Sequence, residues 1–224
     1  MRIQKTSRQP ASSGLLPGHL EDINRLSRAS LSAEEVYVFS LCLCDNEVDR
    51  DQERFPEKTL EQLAPLFVGK SGLFDHSWSA RGQAARLYRT EVVREPERLT
   101  QAGDGYCWLK GWAYMVRTPD NQGLIAEIEG GIKKEVSVGC AVKRAVCSIC
   151  STERGQDCGH KPGEVYDGAR CFFQLEEAVD AYEFSFVAVP AQRAAGVVKH
   201  YEGGMDMDIE KRLEEAPEEG GLLT

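Results

Sequence analysis

Apolar positions along this chain fall mainly into two-residue alternations and unbroken runs, with helical spacing in only a few places. Val36-Tyr37-Val38-Phe39-Ser40-Leu41-Cys42-Leu43-Cys44 is apolar on both faces and rich in β-branched and aromatic residues. That pattern predicts a strand buried on both sides, with Cys42 and Cys44 as small core residues. Arg86 to Arg94 alternates, Gly103-Asp104-Gly105 is a turn signal, and Tyr106 to Val116 alternates again, so the pair predicts a β-hairpin. Tyr106, Trp108, Trp112 and Tyr114 share one face of its second arm, as core or barrel wall. Two further strands are expected near Arg170 to Leu175 and Ala181 to Val189.

Three stretches have helical spacing. Leu16, Leu20 and Ile23 predict a short helix over Pro17 to Arg28. Pro56 opens another, with Leu60, Leu63 and Ala64 on one face and a stop or kink at Pro65. Thr118-Pro119 starts a third, which places Leu124, Ile125, Ile128 and Ile132 on one side and ends at Gly130-Gly131. Asp45 to Asp51 is a polar turn that lacks the central glycine and terminal glutamate of an EF-hand loop. Strands in this number with only short helices predict an α+β fold, a small β-barrel-like domain over 31–200. An N-terminal arm and helix precede it over 1–30, and an acidic flexible tail follows over 201–224.

Composition narrows the function classes. A chain of 224 residues with net charge −9 does not bind nucleic acid through bulk charge. No apolar run reaches the roughly 20 residues of a membrane span, and no apolar segment follows the basic N-terminus as in a secretory signal. A soluble intracellular protein is expected, in which the eight cysteines signify metal more than disulfides. Cys147-x-x-Cys150 and Cys158-Gly159-His160 offer three thiols and an imidazole inside a Cys-rich loop insertion at 145–172. That donor set fits a tetrahedral structural Zn²⁺ stapling a loop too small for its own core. Cys158 and His160 are closer in sequence than a usual zinc knuckle, so Cys171 or Cys140 can replace His160 as the fourth ligand.

The candidate chemistry lies on strands. Lys134 to Cys140 carries Ser137 among β-branched residues, closed by Gly139. A serine needs a base, and the base a group that fixes its tautomer. Of the four histidines, His19 and His200 lie toward the ends and His160 among cysteines, which leaves His76, after Leu73-Phe74-Asp75. Glu183 in Tyr182-Glu183-Phe184-Ser185-Phe186 offers a carboxylate on the same strand face as Ser185. Asp75 competes with it. Ser185 itself is read as a locally bonded strand residue.

In order, the Asp-rich turn, Phe74-Asp75-His76, Gly82-Gln83-Ala84, Gly131 to Gly139 and Glu183 to Ala191 resemble the prohead (capsid-maturation) protease family of tailed phages. That family is related in fold to the herpesvirus assemblins, and the resemblance covers roughly residues 35 to 197. It implies Ser137 as nucleophile, His76 as general base and Glu183 as the third member, with no cofactor for the chemistry. It further implies a serine endopeptidase acting on major capsid and scaffold proteins, and on itself, within the assembling procapsid in the host cytoplasm. Portal and procapsid components are its neighbours, and assemblin-like enzymes work as dimers. Backbone N–H groups around Gly139, or Arg193, are candidate oxyanion donors. The Cys-rich insertion departs from the common family pattern. A zinc-stapled, non-catalytic capsid-assembly protein of the same fold is the alternative. A metal-dependent hydrolase is a third reading, against which stands the missing H-x-E…P-C-x-x-C arrangement of zinc deaminases.

Overall fold

The computed structural model describes residues 17–200. The N-terminal arm and the acidic tail lie outside the described residues. The chain runs α1 (His19–Leu26), β1 (Val36–Asp45), β2 (Glu53–Arg54), α2 (Glu57–Phe67), β3 (Ser71–Phe74), β4 (Ala85–Leu99) and β5 (Gly105–Val116). It continues through α3 (Gln122–Glu129), β6 (Val136–Cys147), β7 (Val165–Tyr166), β8 (Ala169–Arg170), β9 (Phe173–Phe186) and β10 (Gly196–His200). Eight strands form one mixed sheet in the order β10-β1-β5-β4-β3-β9-β2, with β6 along β9, and β7 and β8 form a small separate ribbon. The fold is α+β.

Every residue of β1 is buried, as its two-faced apolar pattern requires. Tyr37, Phe39, Leu41 and Leu43 point into the main core with Leu87, Leu109, Phe184 and α2 residues Leu60, Leu63 and Phe67. Each such side chain contributes roughly 1.5–3 kcal/mol on burial. The opposite face of the β1–β5–β4 sheet builds a second, smaller core from Val36, Val38, Tyr88, Trp112 and Tyr114 under Ile23 of α1. Trp112 and Tyr114 of the aromatic stripe of β5 thus floor the outer helix, while the intervening Cys107, Leu109, Ala113 and Met115 reach the main core. His19 in α1 is sunk in this outer layer, 2.6 Å from the Tyr88 hydroxyl. Burial, aided by Arg89, holds its imidazole down at about 4.

Four expectations are corrected. Pro65 does not stop α2, which ends at Phe67; a proline in the last turn removes only one helical bond. Ile132 lies beyond α3 and is exposed, because Gly130 and Gly131 end the helix two residues earlier. The two strands expected between Arg170 and Val189 are largely one, the 14-residue β9. Its polar middle, Glu176 to Asp180, reads as a break in sequence but stays paired with β6 through two register shifts, with Glu177 at positive φ. Lastly, the sheet does not close into a barrel. β10 pairs with β1 and meets the residue just before β6 in one isolated bridge, Glu135 with Gly196. Past that bridge the β6 edge faces loop 190–195 and the turn after β1 instead of a strand.

Candidate active site and metal centre

β9 lies between β3 and β6, parallel to the first and antiparallel to the second. Ser137 stands opposite Ser185, and Gly139 opposite Glu183. On β3, Ser71 pairs with Glu183 and Leu73 with Ser185. Alternation sends Val136, Val138, Phe184 and Phe186 into the core, so Ser137, Gly139, Glu183 and Ser185 share the other face. Register therefore brings a hydroxyl and a carboxylate from residues far apart in sequence to neighbouring places on one face of the sheet.

His76 joins them from the turn after β3. Asp75 and His76 both adopt positive φ, 50° and 53°, a conformation rare for residues with a Cβ. This reverses the chain over β9, where Asp75 N–H donates to the Phe186 carbonyl at 3.0 Å. The His76 Nδ1 lies 2.8 Å from Glu183 Oε1. Glu183 is almost fully buried, with 3% of its side chain exposed, whereas the His76 ring is 42% exposed. The second carboxylate oxygen, Oε2, accepts the Ser185 hydroxyl at 2.6 Å, and the Ser185 Oγ accepts the His76 backbone N–H at 3.1 Å. An ionised carboxylate only accepts, so a neutral imidazole facing one would carry its proton on Nδ1 and leave a lone pair on Nε2. Gly139 gives the carboxylate room: a Cβ there would lie 2.5 Å from Glu183 Oε1.

Ser137 is partly exposed and has no side-chain hydrogen bond among the described residues. It lines a cleft of about 340 Å³ with Gly139, Asp49, Asp51, Ala191 and Gln192. The polar turn after β1 positions that far wall. Gln192 clamps the Asp45 backbone through both ends of its amide, at 2.6 and 3.0 Å. Arg50 reaches the Pro190 carbonyl at 2.6 Å. Arg193 lines a neighbouring cleft with Asp45 and Arg98 instead. Asp75 is exposed and its carboxylate has no hydrogen bond among the described residues. Of the two candidate orienters, only Glu183 touches the imidazole.

The thiol cluster sits at the opposite end of the same strand pair. Cys147 ends β6 opposite Phe173 of β9. The donor atoms of Cys147, Cys150, Cys158 and His160 all lie within 4.8 Å of one another. Cys150 Sγ is 3.4 Å from Cys158 Sγ, which is 3.7 Å from His160 Nδ1. Four ligands around one zinc, with Zn–S bonds of about 2.3 Å, stand about 3.8 Å apart, so this donor set can hold a metal ion such as zinc. Hydrogen bonds with Thr152 pull the Cys150 thiol down to about 6, toward the thiolate that a metal requires. His160 is braced edge-on against Tyr166, 4.5 Å between centroids. Cys171 is buried with its sulfur 3.8 Å from Cys147, adjoining the four. Cys140 is not a candidate: it packs at the main core, and burial pushes its thiol up to about 11.

Ten residues of strand separate Ser137 from Cys147, roughly 30 Å along an extended chain. The two centres are distinct.

Among known proteins, no family model, no curated protein and no solved structure matches this chain. The geometry alone speaks for its chemistry.

Proposed function

We propose that the protein is a serine endopeptidase in which Ser137 attacks the scissile carbonyl. The observation that carries this reading is the contact of His76 Nδ1 with the buried Glu183, on the sheet face that Ser137 shares. That contact leaves Nε2 as the proton acceptor. His76 takes the Ser137 proton as the acyl-enzyme forms and returns it to the leaving amine, while Glu183 stabilises the imidazolium. Backbone N–H groups near Gly139 are the nearest oxyanion donors to Ser137 in sequence. Ser137 forms its bond to His76 on substrate binding, since such contacts tighten in the Michaelis complex.

In this reading the open mixed sheet is the scaffold of the protease domain, with β6, β9 and the turn after β3 carrying the three side chains. The resemblance to prohead proteases supplies the substrate class: scaffold and capsid proteins of a phage procapsid, and the enzyme's own tail. The thiol cluster binds a structural Zn²⁺ and takes no part in catalysis, being at the far end of β6. A second reading, a zinc-stapled assembly protein without activity, has in its favour the missing bond between Ser137 and His76. One substitution separates the two. Ser137→Ala should abolish both processing of co-expressed capsid or scaffold protein and labelling by a fluorophosphonate probe. Processing that continues undiminished removes Ser137 as nucleophile.

A further inference from the structure

We propose that Ser185 is a positioning residue of this site, whose hydroxyl sets both the turn and the tautomer of His76. The inference rests on the serine-peptidase reading above. Ser185 looks like an ordinary strand residue, yet it is fully buried and stands directly opposite Ser137. Its single proton goes to Glu183 Oε2 at 2.6 Å, which leaves the Oγ lone pairs free to accept the His76 backbone N–H at 3.1 Å. Glu183 Oε1 in turn meets His76 Nδ1 at 2.8 Å. The four bonding groups form a closed ring: His76 backbone, Ser185 hydroxyl, Glu183 carboxylate, His76 imidazole.

Each part of the ring depends on the others. A buried carboxylate with one oxygen unpaired is costly and turns to find a second donor. Ser185 removes that freedom, so Oε1 stays aimed at Nδ1. Two successive residues at positive φ, Asp75 and His76, persist only where surrounding bonds over-determine them. The bond from His76 N–H to Ser185 is one of these, and it ties the backbone of the base to the carboxylate that orients its ring. Gly139 makes the same space from the β6 side, since its missing Cβ leaves Oε1 accessible. Gly139 opposite Glu183 and Ser185 two residues along β9 thus favour one rotamer of the carboxylate.

The test uses the full-length chain with Ser185→Ala, Ser185→Thr and Ser137→Ala. Two readouts are taken: the rate of fluorophosphonate labelling, and the imidazole nitrogen NMR signals of His76, with melting temperatures recorded for each variant. Losing one hydrogen bond to a charged group corresponds to roughly a 10- to 100-fold loss in rate. Ser185→Ala is expected to show that loss in Ser137-dependent labelling, together with a shift of His76 from the Nδ1–H form toward a mixture of tautomers. Ser185→Thr, which keeps the hydroxyl, is expected to recover most of both. Wild-type labelling and an unchanged His76 spectrum in Ser185→Ala overturn the inference. So does a Ser185→Thr variant with the wild-type melting temperature and no recovery. If the wild type shows no labelling that Ser137→Ala removes, the peptidase reading falls. The spectrum of Ser185→Ala still decides whether the hydroxyl holds the tautomer.

Discussion

The two ends of the β6–β9 ribbon solve one problem in opposite ways. At the Ser137 end, side chains are held by burial, strand register and hydrogen bonds: Glu183 is sunk under His76, and Phe184 and Phe186 anchor β9 in the core. At the Cys147 end almost no core is available. A small buried cluster of Cys147, Cys171 and Phe173, with Ala145, Ile149, Cys158 and Tyr166 packed partly buried against it, lies beneath the insertion. There the donor atoms themselves bring the chain together, within 4.8 Å of one another. Where a fold has apolar area to bury, it can place a polar group without a metal. Where it has little, a metal ion held by such a donor set would substitute for the core.

That contrast can be broken. Glu183→Gln keeps the size of the side chain and removes its charge, and the amide can present the wrong partner to Nδ1. Labelling at Ser137 should fall by roughly 10³- to 10⁴-fold, with the Co²⁺ spectrum of the thiol cluster unchanged. A Glu183→Gln enzyme of near-normal rate would mean the burial end does not orient the base.

The next largest effect tests the other end. Cys150→Ser, or removal of metal by a chelator, should cost several kcal/mol of stability. It should lower the melting temperature while labelling per folded molecule stays within about threefold. Activity lost without any loss of melting temperature would make the thiol centre part of the chemistry. Gly139→Ala should be milder, about 1–3 kcal/mol from overpacking against the carboxylate, and should slow labelling through displacement of Glu183. Denaturant unfolding and the labelling rate measured together would show whether strain and activity move in step. The smallest effect is expected for Asp75→Asn, less than about threefold on labelling, as suits an exposed carboxylate clear of the ring. A large loss there would return Asp75 to the role of orienter.

What could be read from the sequence divides along the same line. β1 and the thiol cluster were legible because each follows from residue type and spacing, a two-faced apolar run in one case and Cys-x-x-Cys in the other. Glu183 was reached through the resemblance to the prohead proteases, with strand alternation adding only that it faces the same way as Ser185. The continuity of β9 was not legible, since Glu176, Glu177 and Asp180 interrupt the apolar pattern and the pairing with β6 that carries the strand through them appears only in the fold. Nor was the turn at Asp75 and His76, because positive φ in residues other than glycine leaves no mark in composition. The service of Gly139 to Glu183 was hidden for a related reason. It is a clearance between two strands, and register appears only once both are paired.

The position of β9 has a consequence for the order of events in the cell. Chains emerge from the ribosome N-terminus first, at roughly 5–20 residues per second. His76 and Ser137 are therefore made several seconds before Glu183 and Ser185. Yet β9 lies between β3 and β6, so the strand that links the His76 turn to the Ser137 strand is synthesised after both. Until it inserts, β3 and β6 have no common neighbour and the imidazole has nothing to orient it. Under the peptidase reading proposed above, a nascent chain whose serine and histidine are already made would stay inert until β9 is in place between them.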